Sequence, residues 1–195
     1  TADGQVLSIG APPSGVYFVT ALSDDGSTVV GDILVTDGPL EPHLEAAIWL
    51  GGDQWRSLGY LPGTGPCGLN LTSAFDVSGD GSKIVGLAWL ESNCAGTAHG
   101  FQWTEQTGMV DLGAIVDGRA SRGNAISADG TVIAGWSDSS FGSRLGAQYR
   151  DGGPWEWFTP DGQTIQAGEA LAVNSDGSVI VGGGYFENTA NFGAP

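Results

Sequence analysis

The sequence predicts an all-β protein, a β-propeller built from about four four-stranded antiparallel blades. Three observations support this prediction: a phrase that returns four times, 34 glycines among 195 residues, and short apolar runs without helical spacing. The phrase has the form x-Asp-Gly-x-x followed by two apolar residues and a glycine, and it recurs at intervals of 55, 49 and 47 residues. Such a period is typical of propellers and solenoids, whose units bury their apolar faces against their neighbours.

The Asp-Gly pair in each copy predicts a tight turn between the first and second strands of a unit. Glycine supplies the positive φ that the turn requires, and aspartate hydrogen-bonds to the nearby backbone. The β-branched run after each pair predicts the second strand. The four predicted turns contain Asp25 and Gly26, Asp80 and Gly81, Asp129 and Gly130, and Asp176 and Gly177.

Aromatic residues at equivalent places predict the two remaining strands of each unit. The third strand is predicted at Ala47–Trp49, Gly100–Trp103 and Gly146–Tyr149. The fourth strand is predicted at Trp55–Gly59, Met109–Gly113 and, as a poorer match, Trp155–Phe158.

The repeat predicts a single domain whose units cover residues 16–63, 64–118, 119–162 and 163–195. Residues 5–10 match a fourth strand, although they precede the first unit. Either this segment completes the last blade and closes a four-bladed ring, or the chain is a section of a longer propeller. We favour closure, because a ring protects strand edges that would otherwise pair with other chains.

The charge of the chain limits its partners. It carries 22 acidic and 6 basic side chains, a formal net charge of −16, which disfavours nucleic acids and anionic lipid surfaces. No apolar run reaches the length of a membrane span, so direct membrane insertion is not expected. The chain begins at Thr1 rather than Met, which we interpret as the result of processing or trimming.

The second unit carries a pattern that identifies a family resemblance. Residues 99–104 read His-Gly-Phe-Gln-Trp-Thr, residues 108–113 read Gly-Met-Val-Asp-Leu-Gly, and residues 124–130 read Asn-Ala-Ile-Ser-Ala-Asp-Gly. The pattern resembles the bacterial extracellular repeat family named HAF, and the resemblance covers nearly the whole chain. The third unit departs from it at Gln148-Tyr149 and Phe158-Thr159. The resemblance implies an exported β-propeller in the periplasm, at the cell surface or outside the cell, and it implies no reaction.

Cys67 and Cys94 are the only cysteines, and both fall in loops at one end of the second unit. In an exported chain they predict one disulfide across a 27-residue separation. The alternative is two free thiols in a reducing compartment.

The acidic turns and the two histidines are the weak candidates for metal binding. One Asp-Gly turn supplies too few oxygen ligands for calcium, so we interpret these aspartates as turn residues and expect neither a metal nor a cofactor. His43 and His99 lie in predicted loops that join second to third strands, and we interpret them as surface loop residues.

The same loops, at residues 32–46, 87–99 and 136–146, are where we expect a ligand or partner. The candidate contact residues there are Glu41, His43, Glu45, Glu91, His99, Trp136 and Asp138. We predict a binding or structural module for a protein or glycan, acting alone or as one subunit of a larger assembly, and not an enzyme. The alternative is a glycoside hydrolase that uses two loop carboxylates, since such enzymes need a facing pair.

Overall fold

The computed structural model describes residues 9–10, 15–36, 42–61, 72–90, 97–158 and 164–187. These residues form fourteen strands and no helix. The described part of the chain thus contains no helical segment with the length and hydropathy of a membrane span. The prediction of an all-β chain is confirmed.

The strands form four antiparallel sheets, which we number as blades 1 to 4, and in each sheet neighbours in sequence are neighbours in space. Blade 1 contains β1 (Val16–Leu22), β2 (Val29–Val35), β3 (His43–Gly51) and β4 (Gln54–Ser57). Blade 2 contains β5 (Thr72–Val77), β6 (Ile84–Trp89), β7 (Ala98–Thr104) and β8 (Gly108–Asp111). Blade 3 contains β9 (Ser121–Ile126), β10 (Val132–Asp138), β11 (Arg144–Arg150) and β12 (Trp155–Trp157). Blade 4 contains β13 (Thr164–Val173) and β14 (Ile180–Glu187).

The strands around the second-to-third-strand loops are longer than the sequence predicts. β2 and β3 extend to Val35 and from His43, so much of the predicted 32–46 loop is regular strand. The same is true of the predicted 87–99 and 136–146 loops. The predicted loop boundaries were wrong, because polar residues within these strands hide the apolar alternation that marks a strand.

The first strand of every blade carries a β-bulge at the same place. The extra residue has no partner on the second strand, and a glycine of the recurring phrase stands beside it. A Cβ added to Gly135, for example, would lie 1.9 Å from the backbone oxygen of Arg122. The second glycine of the phrase therefore gives room for the bulge. The bulged residues are Thr20, Phe75, Asn124 and Leu171.

The blades pack in chain order, with the second and third strands of one blade against the first strand of the next. Three apolar clusters fill these junctions. Val30 and Ala46 pack with the blade 2 side chains, Val85 packs with Ile126 and Ile133, and Ala134 packs with Ala170. In the described part of the chain, no substantial strand contact joins β13 or β14 to blade 1, so ring closure stays a prediction. Residues 1–8, which hold most of the proposed closing strand, lie outside the described residues.

Hydroxyl groups at the start of two first strands tie the blades together. Thr72 Oγ1 accepts a hydrogen bond from the Ala46 N–H at 2.9 Å, and Ser121 Oγ accepts one from the Gly100 N–H at 2.9 Å. Each hydroxyl also donates to a backbone carbonyl of the preceding blade. Because both hydroxyls are buried, these bonds satisfy backbone groups that would otherwise be costly to bury.

Candidate functional site

The two ends of the blades differ in regularity. At one end, which we call the turn end, lie the four Asp-Gly turns, whose glycines have φ angles near +70°. Successive turns are joined by backbone hydrogen bonds, from the Asp24 N–H to the Gly79 oxygen, from the Gly79 N–H to the Ala128 oxygen, and from the Asp129 N–H to the Ser175 oxygen. The opposite end, the loop end, carries loops of different lengths. The turn end is therefore a linked scaffold, and the longer connections lie at the loop end.

The carboxylate oxygens of the turn aspartates accept hydrogen bonds from residues of their own turns. In blade 2 the Asp80 carboxylate accepts hydrogen bonds from the Ser78 hydroxyl at 2.7 Å and from the Ser82 N–H at 3.0 Å. These bonds, from Ser78 first and then Ser82, lower the pKa of Asp80 to about 2. The equivalent bonds lower the pKa of Asp25, Asp129 and Asp176. Local hydrogen bonding accounts for these aspartates without a cation.

At the loop end, one carboxylate of blade 4 pairs with two arginines of blade 3. Glu169 of β13 lies 2.8 Å from a guanidinium nitrogen of Arg122 on β9 and 2.5 Å from one of Arg144 on β11. Asn124, the bulged residue of β9, donates its side-chain amide to the Ala170 oxygen at 2.7 Å and accepts a hydrogen bond from Arg122 Nε at 2.6 Å. We call Arg122, Asn124, Arg144 and Glu169, together with the residues described next, the arginine cluster.

Trp136 of β10 forms the floor of the arginine cluster. The guanidinium carbon of Arg144 lies 3.9 Å from the ring centroid of Trp136, and that of Arg122 lies 5.5 Å from it. Arg122 also lies over the ring of Phe75 at 4.9 Å. Both arginines are thus held by aromatic faces as well as by Glu169, which orients their remaining donors. The buried indole Nε1 of Trp136 makes no hydrogen bond within the described part of the chain.

Burial and charge act against one another within the cluster. Burial raises the pKa of Glu169, but the hydrogen bond from Arg144 and the positive charges of Arg122 and Arg144 outweigh it, so the pKa lies below its ordinary value. Burial lowers the pKa of Arg122. Asp138 is the last residue of β10. Burial raises its pKa, and the charges of Arg144 and Arg119 only partly offset that effect. Glu169 is therefore ionised at neutral pH and holds both guanidinium groups in place.

His43 and Glu45 do not lie in a surface loop, and that prediction was wrong. Both belong to β3 and both are buried, with His43 Nε2 2.9 Å from Glu45 Oε1. The Ser57 hydroxyl of β4 donates to the other oxygen of Glu45. Alternation along β3 brings His43 and Glu45 to one face, where they pair with one another. The pair is part of the interior of blade 1.

His99 was also wrongly predicted as a loop residue, because it belongs to β7. Its Nδ1 lies 2.8 Å from Asp111 Oδ1 of β8, and its Nε2 lies 3.1 Å from the backbone oxygen of Arg119. Burial raises the pKa of Asp111, but the hydrogen bonds from His99 and the Gly113 N–H outweigh it and lower the pKa. His99 joins blade 2 to the segment that leads into blade 3.

The structure brings together only part of the predicted contact set. Trp136 and Asp138 lie in or beside the arginine cluster, and Trp136 is buried rather than displayed. Glu45 and Asp138, two of the carboxylates considered for glycosidase chemistry, lie in blades 1 and 3 with blade 2 between them. No group of three or more metal-ligating side chains occurs among the described residues. The candidates Glu41, Glu91, Cys67 and Cys94 lie outside the described residues.

The sequence analysis missed Arg122, Arg144 and Glu169. A signal was present, since three of the six basic residues of an acidic chain fall between positions 119 and 144. The convergence of Arg122 and Arg144 on Glu169 depends on the packing of blade 4 against blade 3, which sequence spacing does not reveal.

Comparison with known proteins agrees with this architecture. No family model and no curated protein sequence matches the chain. Among solved structures, TolB from Acinetobacter baumannii is similar over 95% of this chain and 42% of its own, with 14% identity and a TM-score of 0.57. The structure of a putative TolB from Agrobacterium tumefaciens is similar over 95% of this chain and 60% of its own, with 17% identity and a TM-score of 0.55. The fold is a β-propeller.

A third similar structure is one of two prolyl endopeptidases, matched over 87% of this chain and 26% of its own, with 11% identity and a TM-score of 0.55. The chain spans less than two thirds of the length of each of these proteins. At such low identities the likeness shows the fold alone, because one propeller fold serves unrelated functions.

Proposed function

We propose that this chain is an exported propeller module that binds a protein partner, and that the arginine cluster belongs to its contact surface. The observation that carries the proposal is the convergence of two of the six basic residues, Arg122 and Arg144, on Glu169 in a chain whose net charge is −16. We propose no catalytic role for it.

The difference between the two ends supports a binding role. The turn end repeats one local structure and is joined from blade to blade by backbone hydrogen bonds, which makes it a rigid base. The loop end varies in length and composition between blades. Binding residues in such folds are commonly carried by variable loops on a rigid scaffold.

The chemistry of the arginine cluster indicates what a partner would present. Arg144 is exposed, stacks on Trp136 and uses one terminal nitrogen to bind Glu169. Its other guanidinium N–H groups would suit a carboxylate or a backbone carbonyl of a partner. Arginine is among the residue types that contribute most to protein interfaces. The acidic net charge of the chain would favour a partner whose surface is basic around the carboxylate that Arg144 binds.

The resemblance of the repeats to the HAF family supports an extracytoplasmic location. The scarcity of lysine and the strongly acidic composition agree with an exported soluble module. We propose that the chain acts as one part of a larger extracytoplasmic assembly.

Partner recovery from the native source tests this function. The immobilised chain is compared with Arg144→Ala and with the matched control Arg150→Ala, since Arg150 is an exposed arginine of the same strand whose side chain contacts Gln148. We expect a specific protein retained by the wild type and by the control, and lost at least tenfold with Arg144→Ala. Equal recovery by all three chains would contradict the assigned surface, and turnover of a glycoside panel would contradict the binding role.

A further inference from the structure

The hairpin between β10 and β11 displays one phenylalanine at the loop end of blade 3. Phe141 is 95% exposed, whereas no other large apolar side chain in the described part of the chain is more than 59% exposed. Blade 3 is an inner blade, which packs against blade 2 on one side and against blade 4 on the other. Phe141 therefore lies at the tip of an inner blade and not on a face that packs against another blade.

The turn that carries Phe141 does not need an apolar residue. Residues 139–143 read Ser-Ser-Phe-Gly-Ser. The Gly142 N–H donates to the Ser139 oxygen at 2.9 Å, the Ser139 N–H donates to the Ser143 oxygen at 2.8 Å, and Gly142 supplies a φ of +79°. None of these contacts uses the side chain of residue 141, and turn residues are ordinarily small or polar. The phenylalanine points to a contact outside the turn.

The segment that leads into blade 3 holds this hairpin from the side. The Arg119 guanidinium group donates to the Ser140 oxygen, and at the base of the hairpin the Asp138 N–H donates to the Ala120 oxygen at 2.8 Å. The backbone of the tip is thus bonded both within itself and to a neighbouring segment. A residue that is already ordered loses less conformational entropy when it binds, so the phenylalanine is well placed to act as an anchor.

Arginine side chains lie on both sides of Phe141. Arg144 begins β11 three residues after it, and Arg119 Nη1 lies 3.6 Å from the position that a Cβ on Gly142 would take. The hairpin of residues 132–150 contains one acidic residue, Asp138, in a chain that has 22. The charges of both arginines act on Asp138. The tip of the hairpin therefore offers guanidinium donors where most of the chain offers carboxylates.

Each of these two arginines keeps N–H groups for a partner. Arg119 uses one terminal nitrogen to bind the Ser140 oxygen, and Arg144 uses one to bind Glu169. A guanidinium group has five N–H donors, and its planar arrangement suits a carboxylate. An exposed aromatic ring beside such donors is complementary to an apolar surface that carries an acidic side chain.

We propose that Phe141 anchors the partner, and that the partner is a folded protein with an apolar pocket and an aspartate or glutamate at the edge of that pocket. Phe141 fills the pocket, and Arg119 and Arg144 bind the carboxylate. This inference rests on the proposed binding function, for which it names the anchor residue and the chemistry of the partner. A lipid surface fits less well, because anionic headgroups repel a chain whose net charge is −16.

Affinity measurements with the protein that the wild-type chain retains from its native source test the anchor. We expect Phe141→Ser to raise Kd by about tenfold or more, because the pocket of the partner is left unfilled. Leu50→Ser is the matched control, since Leu50 is also exposed but lies in β3 beside the hairpin at the turn end, and it should bind as the wild type does. Both variants are first checked for the β circular-dichroism spectrum of the wild type.

Photocrosslinking locates the pocket on the partner and tests its acidic edge. The aromatic photocrosslinker p-benzoylphenylalanine replaces Phe141 in one chain and Leu50 in a control chain. We expect an adduct with the partner from position 141 and none from position 50. Replacement of the partner's acidic residue nearest the crosslinked site by its amide should weaken binding to the wild type, and weaken it less for Arg144→Ala. Equal weakening for the two chains would overturn the assigned carboxylate contact.

The outcomes separate this inference from the proposed function. If Arg144→Ala weakens binding and Phe141→Ser does not, the anchor is wrong and the binding function stands. If the wild type retains no protein, both fail. Vesicles of phosphatidylethanolamine and phosphatidylglycerol that bind the wild type but not Phe141→Ser would also overturn the inference, since they would assign Phe141 to a membrane surface.

Discussion

At the scale of single residues, the buried Asp32 and the half-buried Asp76 connect the blades. Asp32 of β2 accepts a hydrogen bond from the Ala74 N–H at 3.1 Å, and Asp76 of β5 accepts one from the Ile126 N–H at 2.8 Å. Each carboxylate thus satisfies a backbone donor of the next blade. Burial raises the pKa of Asp76, and it raises the pKa of Asp32 to about 6. These carboxylates hold the blades together while resisting ionisation.

The raised pKa of Asp32 predicts a pH-dependent effect of Asp32→Asn. Because the pKa is higher in the folded than in the unfolded chain, the stabilisation is present at low pH and is lost as the pH rises through about 6. Asparagine stays neutral and keeps the acceptor oxygen. We expect the variant to be more stable than the wild type by about 2 to 3 kcal/mol at pH 8, with little difference near pH 4.

Urea unfolding of Asp32→Asn across this pH range measures the effect. Asp117→Asn is the matched control, because it removes the same charge from an exposed position and reports on long-range repulsion alone. An advantage of Asp32→Asn that stays constant between pH 4 and pH 8 would contradict the titration of Asp32.

At the scale of the strand, the recurring phrase encodes a bulge together with a turn. Its first glycine has positive φ, whereas the second is required by space, as the backbone oxygen beside Gly135 shows. The sequence analysis placed the turns and the second strands, because Asp-Gly and β-branched residues act locally. The contact at the second glycine is between strands and became visible only in the paired sheet.

The crowding at Gly135 predicts a large effect of a single methyl group. Gly135→Ala would place a Cβ against the Arg122 oxygen, and since backbone must move, we expect a loss of stability of about 2 kcal/mol or more. Gly183→Ala, in the equivalent region of blade 4, has open space and serves as the control. Urea unfolding should show the control within about 0.5 kcal/mol of the wild type. Equal effects of the two substitutions would contradict the steric explanation.

At the scale of the whole molecule, each blade in the described part of the chain contacts the blades next to it in sequence. The stability of such a repeat fold is distributed over the junctions between blades. A weak junction therefore destabilises mainly the blades that form it, and covering a terminal face stabilises the whole. The inner junctions combine an apolar cluster with hydroxyl and carboxylate hydrogen bonds. Charge works in the opposite direction, since a net charge of −16 repels itself in any compact state.

The predicted disulfide between Cys67 and Cys94 belongs to this scale, because it would close a loop of 27 residues within the second unit. In the chain-entropy picture such a bond stabilises the fold by roughly 3 kcal/mol. We expect the intact mass of the unreduced, alkylated protein to show no adduct, and two adducts to appear after reduction. Two adducts without reduction would contradict the bond.

Local patterns in the sequence were sufficient for the strand order, the four turns and the all-β class, because strand propensity, turn chemistry and period act over a few residues. They misplaced His43 and His99, whose polar side chains read as loop residues yet are paired within strands. The convergence of Arg122 and Arg144 on Glu169 arose only from the packing of one blade on another. Contacts between distant positions depend on the angle and register of packed sheets, and a one-dimensional repeat does not contain them.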